Sequence, residues 1–367
     1  MAGGKIKHVF PGGNTPQGFF SYYDYVIPID ATRIFLLKGG PGVGKSTFMK
    51  KIGQAMVEQG YDVEHHHCSS DPNSLDGLVI PMLNVALIDG TAPHIVDPKH
   101  PGCVDEILNL GEYWDESKMV KNKAAILAYT KEISKRFQRA YRMLRAAKAI
   151  YDDWEAANNE AMDYKLANQK ATDLLEKLFA GTPTAGHGKN RKLFASAITP
   201  LGPINYIDSI AAGLSSRYII TGLPGTGKAT LLAKVADTAV AKGLDIETYY
   251  CPLDPLKVEH VIIPALDTAL TTSVPPHNQP TRGATAVIDM NDCLDKEIVN
   301  RLETVTDYDR TAFWEFFGKA GTYINEAKKL HDELETYYVP NISFSGVDAL
   351  RDKTLARILA FAVKKIT

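Results

Sequence analysis

Two glycine-rich stretches, GGPGVGKST at residues 39–47 and GLPGTGKAT at residues 222–230, decide how this chain is organised. Their lysines, Lys45 and Lys228, are 183 positions apart. Four further pairs of identical residues keep that spacing: Cys68 and Cys251, Asp71 and Asp254, Pro81 and Pro264, and His94 and His277. A repeat of this length indicates duplicated domains rather than a solenoid. The sequence therefore predicts two tandem domains, at residues 1–184 and 185–367.

Composition and hydropathy exclude several classes of protein. The chain has 367 residues, 45% of them hydrophobic, and a net charge of −2, so no overall charge favours nucleic acid or an anionic membrane. The N-terminal MAGGKIKHVFPGG lacks an apolar core, and no window approaches the ~20 apolar residues that span a bilayer. Four cysteines provide no disulfide framework. We expect a cytoplasmic protein without membrane contacts.

Each half of the repeat has the pattern of an α/β domain. Residues 33–37 (RIFLL) are typical of a buried strand, and apolar residues recur at helical spacing from Phe48 to Met56. The glycine-rich loop thus lies between a strand and a helix. Alternation of strands and helices predicts a parallel sheet with flanking helices in each domain.

Helices of a different kind follow each of these α/β segments. Apolar residues recur every seven positions across 116–158, and a second helix is expected at 165–179. Together they predict a helical hairpin at about 114–180. The counterpart in the second domain is a helical segment at about 294–363, with shorter helices expected at 310–338 and 347–363.

The pattern Gly-x4-Gly-Lys-Ser indicates a phosphate-binding loop. Its glycines let successive backbone N–H groups curl around phosphate oxygens at a helix N-terminus, where the helix dipole also favours an anion. Lys45 would contact the β- and γ-phosphates, and the Ser46 hydroxyl would bind Mg²⁺. The predicted nucleotide-binding residues of the first loop are Gly39, Gly40, Pro41, Gly42, Val43, Gly44, Lys45, Ser46 and Thr47. Those of the second loop are Gly222, Gly225, Gly227, Lys228 and Thr230.

With such a loop present twice in register, the chain resembles the P-loop NTPases. Its duplicated layout with KGGPGVGKST resembles a bacterial family of tandem P-loop ATPases, and this resemblance spans the full length. It implies ATP and Mg²⁺ as ligands. It also implies a second metal ligand, an Asp at the end of an apolar strand. Asp89 in VALIDG has that position, and Asp97 in HIVDP is the alternative.

The second loop departs from the pattern at the positions expected to hold the metal. Ala229 stands where the first loop has Ser46, and Thr272 stands where the first half has Asp89. Thr230 comes one residue too late to replace the hydroxyl. We therefore interpret the second loop as non-hydrolytic, with Lys228 still able to bind a nucleotide.

Asp71, in CSSDP, has two interpretations. The resemblance places this strand end next to the nucleotide, which makes Asp71 a candidate catalytic base, together with Lys45 and Asp89 as catalytic residues. Alternatively, Asp71 and its counterpart Asp254 only open a turn before proline. His94 and His277 are likewise either γ-phosphate sensors or, as we prefer, hydrogen-bonded structural residues. Arg217 and Arg282 are weaker candidates for an arginine finger from the second half.

The run His65, His66, His67 and Cys68 resembles a metal cluster. Side chains alternate along a strand, so His65 and His67 separate from His66 and Cys68, and the second half keeps only the cysteine. We therefore favour structural roles. Cys68 with Cys103, and likewise Cys251 with Cys293, are interpreted as small buried residues, with a redox pair in each half as the alternative.

The long helix of the first half carries a basic stripe. Its members are Lys131, Lys135, Arg136, Arg139, Arg142, Arg145 and Lys148. Such a stripe could bind nucleic acid, an acidic partner or anionic lipid, but a solvated helix face is the preferred interpretation.

The leading functional hypothesis is a Mg²⁺-dependent ATPase that acts as a nucleotide-driven switch, with a degenerate regulatory second domain. The helical hairpins would then contact a protein partner. One alternative is a small-molecule or nucleotide kinase, and another is a non-catalytic, nucleotide-sensing scaffold. ATP is favoured over GTP because no DxxG follows the apolar strands and no NKxD is present.

Overall fold

Two halves with nearly the same order of elements make up the computed structural model, which describes residues 3–92 and 95–366. The strands of the first half are β1 (Ile6–Val9), β2 (Gly12–Thr15), β3 (Gly18–Ser21), β4 (Arg33–Lys38), β5 (Val63–Cys68), β6 (Asp71–Ile80), β7 (Val85–Asp89) and β8 (Asp105–Asn109). Its helices are α1 (Lys45–Glu58), α2 (Glu116–Lys121), α3 (Lys123–Glu160) and α4 (Tyr164–Phe179).

The second half repeats this order closely. Its strands are β9 (Asn190–Leu193), β10 (Ser196–Thr199), β11 (Gly202–Asn205), β12 (Ser216–Thr221), β13 (Ile246–Cys251), β14 (Asp254–Ile263), β15 (Thr268–Thr272) and β16 (Ala286–Asp289). Its helices are α5 (Ile207–Ile210), α6 (Lys228–Ala241), α7 (Lys296–Tyr338) and α8 (Phe344–Ile366).

Each half contains a six-stranded sheet, which confirms the α/β class. The first has the order β1-β5-β6-β7-β4-β8, and the second has the corresponding order β9-β13-β14-β15-β12-β16. The prediction of parallel sheets was wrong, because β6 runs antiparallel to both β5 and β7, and β14 does the same in the second sheet. Both sheets are therefore mixed.

The reversal occurs at a polar turn that the sequence pattern did not reveal. Only Ser69 and Ser70 separate β5 from β6, so the chain turns back as a tight hairpin instead of crossing over through a helix. Strand β6 then begins with the polar residues of DPNSLDG, which lack the apolar signal of a strand.

The last helix of each half packs against the sheet of the other half. In the first core, Val347 and Ile358 of α8 pack with Phe48 and Ile52 of α1. In the second core, Ala171, Leu174 and Phe179 of α4 pack with Leu231, Leu232 and Val235 of α6. The predicted boundary between residues 184 and 185 lies in the connection from α4 to β9.

The long helices α3 and α7 pack against each other and run antiparallel. Tyr129 lies against Tyr337, with ring centroids 5.7 Å apart, and Tyr151 lies against Phe313 at 5.2 Å. The predicted helical hairpins are therefore not confirmed, because each long helix pairs with the long helix of the other half. The prediction of a shorter helix in the second half was wrong: α7 has 43 residues and α3 has 38.

Small residues let the two long helices approach closely. Ala140, Leu144 and Ala147 of α3 are fully buried, as are Ala320 and Ile324 of α7. All but Ala147 lie in one cluster, together with Ile198 of β10. The predicted seven-residue spacing in α3 thus marks a buried helix–helix seam.

An approximate two-fold axis relates the halves where the edges of the two sheets meet. Phe10 and Phe194 occupy corresponding positions and exchange two backbone hydrogen bonds, each 3.0 Å long. Beside them, Arg191 contacts Glu64 at 2.6 Å and Glu247 at 3.3 Å, and Lys7 also pairs with Glu247. The arginine holds the pKa of Glu64 well below its usual range, against the opposing effect of burial.

Among the residues that the structure describes, no helix combines the length and apolar character needed to cross a bilayer. The cytoplasmic location stays a prediction.

Candidate functional site

Loop 1, residues 39–47, follows β4 and includes the first residues of α1. It lies at the carboxyl-terminal end of β4. Gly44 is the N-cap of α1 and has a φ of 88°, a left-handed conformation that a side chain would strain. Val43 is buried in the core beneath and anchors the loop. The first N–H groups of α1 have no partner within the helix, so this end of the loop suits an anion.

The side chains of Lys45 and Asp89 lie next to each other at loop 1. Strands β4 and β7 pair directly and in parallel, with Leu37 opposite Asp89, so the carboxyl ends of the two strands lie side by side. Lys45 Nζ donates hydrogen bonds to the carbonyl oxygens of Gly39 and Gly40, at 2.7 and 2.9 Å. The same Nζ is 3.5 Å from Asp89 Oδ2.

The alternative carboxylate, Asp97, has a different environment. Its Oδ1 lies 3.0 Å from Lys38 Nζ, and its side chain is 75% exposed, compared with 14% for Asp89. The structure therefore places Asp89, and not Asp97, beside the loop lysine. Which of the two binds a metal stays a prediction.

The two expected metal ligands, Ser46 and Asp89, have protein partners. Ser46 Oγ accepts a hydrogen bond from the N–H of Leu75 on β6, at 3.0 Å. Asp89 Oδ1 accepts from the N–H of Thr91 at 2.9 Å. These contacts fix a hydroxyl and a carboxylate near the loop, and both are hard oxygen donors of the kind that Mg²⁺ prefers.

The second half of the chain covers loop 1. Glu335, near the end of α7, accepts a hydrogen bond at Oε1 from the N–H of Gly42, at 3.1 Å. A Cβ added to Gly42 would lie 2.8 Å from Val339, and one added to Gly40 would lie 3.1 Å from the ring of Tyr338. A carboxylate from the other half thus occupies one of the loop N–H groups predicted to bind phosphate.

Asp71 lies at the contact between its sheet and the long helix of the other half. The Ser74 hydroxyl donates to Asp71 Oδ2 at 2.9 Å, and Lys328 Nζ of α7 is 3.6 Å from the same oxygen. The second half contains the corresponding pair, with Lys148 of α3 3.3 Å from Asp254. This repeated ion pair gives Asp71 a structural role, and its role as a base stays a prediction.

Loop 2, residues 222–230, has the same relation to the long helix α3. Lys228 Nζ donates to the carbonyl oxygens of Gly222 and Leu223, at 2.8 and 2.6 Å. Asn158 of α3 donates to the carbonyl oxygen of Pro224 at 2.9 Å. Each loop is therefore contacted by the long helix of the opposite half.

A cavity of about 290 Å³ adjoins loop 2. Its charged and polar walls include Tyr151, Glu155, Lys228, Asp254, Lys257 and Glu259. Burial lowers the pKa of Lys228 to about 8 and raises the pKa of Glu259 to about 7. Ala229 and Thr272, which stand at the positions of Ser46 and Asp89 in the first half, also line the cavity.

Sequence reasoning missed the residues that reach each loop from the opposite half. Lys328 and Glu335 of α7 and Glu155 of α3 belong to no motif that marks them, and Lys148 was identified only as part of the basic stripe. A signal was present, because the segments AKAIYDDWE (147–155) and AKKLHDELE (327–335) keep the lysine and the final glutamate at the same positions. A single sequence does not show that these segments exchange partners.

The remaining candidate residues have partners within the chain, are exposed, or lie outside the described residues. Arg217, at the start of β12, donates to Gln279 at 3.3 Å, and Arg282 is exposed. His277 lies 3.0 Å from the Asn205 amide, and burial lowers the pKa of His277 to about 4. His94 lies outside the described residues. The four cysteines are free thiols, of which Cys293 alone is buried and Cys103 is exposed.

The basic stripe of α3 is largely engaged within the chain. Arg136 lies 2.9 Å from Glu326 of α7, and the Arg139 guanidinium stacks over Tyr323 at 5.1 Å. Arg145 donates to the carbonyl oxygen of Pro16 at 3.2 Å. Two of these contacts reach α7 and the third lies within the first half, so they favour packing within the chain over nucleic-acid binding as the use of this stripe.

The comparisons with known proteins leave the family open. No protein-family model, curated protein or solved structure matches the chain. The relation to P-loop NTPases therefore stays a prediction from the residues and their arrangement.

Proposed function

We propose that this chain binds ATP and hydrolyses it, with Mg²⁺, in the first half, and that nucleotide binding switches its contacts with the second half. The observation that carries this proposal is the convergence of the Gly42 N–H, Lys45 and Asp89 at one helix N-terminus, under a carboxylate from α7. An N–H group that already binds the carboxylate of Glu335 is suited to bind a phosphate oxygen.

The residues of loop 1 fit a nucleoside triphosphate with its metal. Ser46 and Asp89 would hold Mg²⁺, which when bound would neutralise charge on the β- and γ-phosphates. Lys45 would exchange its hydrogen bonds to Gly39 and Gly40 for contacts with these phosphates. Asp71 is the candidate for orienting the attacking water, provided that its ion pair with Lys328 opens.

The switch follows from competition at loop 1. The phosphates and Glu335 cannot both accept a hydrogen bond from the Gly42 N–H along the same direction, so binding displaces the end of α7. Helix α7 packs along α3, which contacts loop 2. A change at one loop is thereby transmitted to the other by a pair of packed helices.

The proposal is tested by phosphate release from the full-length protein with Mg·ATP and, in parallel, with Mg·GTP. Lys45→Ala should lower turnover roughly 100-fold or more, because it removes a cation that stabilises the transferred phosphoryl group. Lys228→Ala is the matched control, since this lysine has the same position in loop 2. Its turnover should stay within a few-fold of the parent chain.

Other outcomes would contradict parts of the proposal. Equal losses in the two lysine variants would refute the division between a hydrolytic and a regulatory half. Formation of ADP only when a mixture of small molecules is present would indicate a kinase instead.

A nucleotide-sensing scaffold is the second candidate, and the cavity beside loop 2 favours it. This cavity contains Lys228, but loop 2 lacks the hydroxyl that would bind a metal, because Ala229 occupies that position. Tight ATP binding that Lys228→Ala abolishes, without phosphate release from any variant, would support the scaffold over the ATPase.

A further inference from the structure

Three histidines of β1 and β5 converge at the edge of the first sheet, and none of them belongs to a glycine-rich loop. Strand β1 pairs in parallel with β5, with His8 opposite His65. Along β5, His65 and His67 share one face, while His66 lies on the other face, 3.2 Å from Glu64. One ring nitrogen from each of His8, His65 and His67 lies within 4.8 Å of the others.

We propose that His8, His65 and His67 form a binding site for a divalent transition-metal ion of the Zn²⁺ class. Three imidazoles on one site match the donor set of an open zinc centre, which leaves a fourth position for water or another ligand. The proposal does not depend on nucleotide binding at either loop.

The orientation of His67 suits a metal ligand. Its Nδ1 lies 2.9 Å from the carbonyl oxygen of Pro72, a contact that requires the ring proton on Nδ1. The lone pair of His67 is therefore on Nε2, which faces His8 Nδ1 at 2.8 Å. Backbone carbonyls orient metal-binding histidines in this way in many proteins.

The contact between His8 and His67 is the one that a metal would replace. His8 Nδ1 now donates its proton to His67 Nε2. The neutral ring of His8 can carry that proton on Nε2 instead, which frees the Nδ1 lone pair. Both rings would then present lone pairs to the ion after a shift of roughly half an ångström, since Zn–N bonds are about 2.0–2.1 Å.

His65 keeps binding capacity that the protein does not use. Its Nε2 is buried and, in the part of the chain that the structure describes, has no hydrogen-bond partner. A buried ring nitrogen without a hydrogen-bond partner is available to a metal ion, which binds the neutral form of histidine.

The second half provides an internal comparison. The positions that correspond to His8, His65 and His67 hold Lys192, Thr248 and Tyr250. There, Lys192 Nζ lies 5.8 Å from the ring centroid of Tyr250. The same strands thus form without any histidine, so the fold alone does not explain the cluster.

The site also lies where the halves meet. The ring of Tyr206, from the second half, stacks on His67 with centroids 4.6 Å apart. The Ser209 hydroxyl accepts a hydrogen bond from the N–H of His8 at 2.9 Å. A bound ion would join β1 and β5 beside this contact, so it should stabilise the folded chain as well.

Metal titration of the untagged, full-length protein after chelator treatment tests the proposal. Co²⁺ is added first, because absorption in the visible region reports its ligands, and Zn²⁺ then competes for the site. We expect one equivalent to bind and to raise the melting temperature. His65→Thr introduces the residue that the second half has at the corresponding position. It should weaken metal binding at least tenfold, a loss typical when a residue that surrounds a bound metal is replaced.

Two variants control for binding elsewhere. His187→Gln changes an exposed histidine, and Asp332→Asn disrupts a separate group formed with His331 and Glu335. Both should bind Co²⁺ like the parent chain. Circular dichroism shows whether His65→Thr is folded, and His8→Lys is the second variant if it is not. Absent binding, or equal binding in a folded His65→Thr or His8→Lys chain, would overturn the proposal.

Discussion

Replacing Glu335 with glutamine should strengthen nucleotide binding to loop 1. Glu335 accepts the hydrogen bond of the Gly42 N–H at 3.1 Å, and its side chain is 37% exposed. A hydrogen bond to a charged group contributes about 1.5–3 kcal/mol when it is well buried, and partial exposure reduces this to about 1 kcal/mol. Nucleotide must displace that contact, so Glu335→Gln should tighten ATP binding roughly fivefold.

The assay is equilibrium binding of a fluorescent ATP analogue, with Mg²⁺, to the full-length chain. Lys45→Ala sets the background, because it should bind the analogue weakly. Glu315→Gln is the matched control, since Glu315 is an exposed residue of the same helix, paired with Lys319 at 3.1 Å and about 30 Å from Glu335 along the axis. It removes the same charge without touching loop 1.

The ATP affinity of the Glu335→Gln variant shows whether Glu335 competes with the phosphates for loop 1 or assists the reaction. Unchanged or weaker binding would refute the idea that the carboxylate competes with phosphate. Normal binding with reduced phosphate release would instead show that Glu335 assists the reaction from the opposite half. An equal gain in Glu315→Gln would mean that only the overall charge of α7 matters.

Two further predictions concern buried charges. Arg191→Ala should lower the free energy of unfolding by about 3–5 kcal/mol in urea titrations at pH 7, because it leaves Glu64 buried without its main partner; a loss no larger than that of Lys7→Ala would contradict this. Glu259 has its pKa raised to about 7 by burial, so the folded chain keeps a proton that the unfolded chain releases above pH 4.5. Stability should therefore fall by about 3 kcal/mol from pH 4.5 to 7, and Glu259→Gln should flatten that slope.

The local elements could be predicted because their signals are local. Repeated glycine loops, apolar strands and seven-residue helical spacing predicted two α/β halves and the helix α4 within one residue of its start. Asp89 was placed from its position at a strand end, and the structure puts it beside Lys45. The hairpin at Ser69 and Ser70 was not predicted, because a polar turn followed by a polar start of a strand shows no periodic pattern of apolar residues.

The exchange of helices could not be predicted, for a different physical reason. The apolar face of α3 indicates that the helix packs against something, but it does not identify the partner. Ala140 and Ala147 allow close packing against any helix that has small side chains on the facing surface. Only the three-dimensional arrangement shows that α7 provides that surface, with the buried Ala320 and Ala327 at the corresponding positions of the repeat.

The exchange gives each loop a contact with the opposite half, and the two sets of contacts correspond. Lys328 pairs with Asp71 where Lys148 pairs with Asp254, and Glu335 lies at loop 1 where the backbone of Glu155 packs against loop 2.

Under the proposed function, this correspondence gives loop 2 a role although Ala229 and Thr272 replace the expected metal ligands. A ligand that displaces α7 from loop 1 also changes the helix against which α3 packs, and α3 holds loop 2. Coupling of this kind is reciprocal, so a ligand at loop 2 must alter affinity at loop 1 by the same factor. Under the same proposal, loop 2 can therefore set the nucleotide affinity of loop 1 without hydrolysing nucleotide itself.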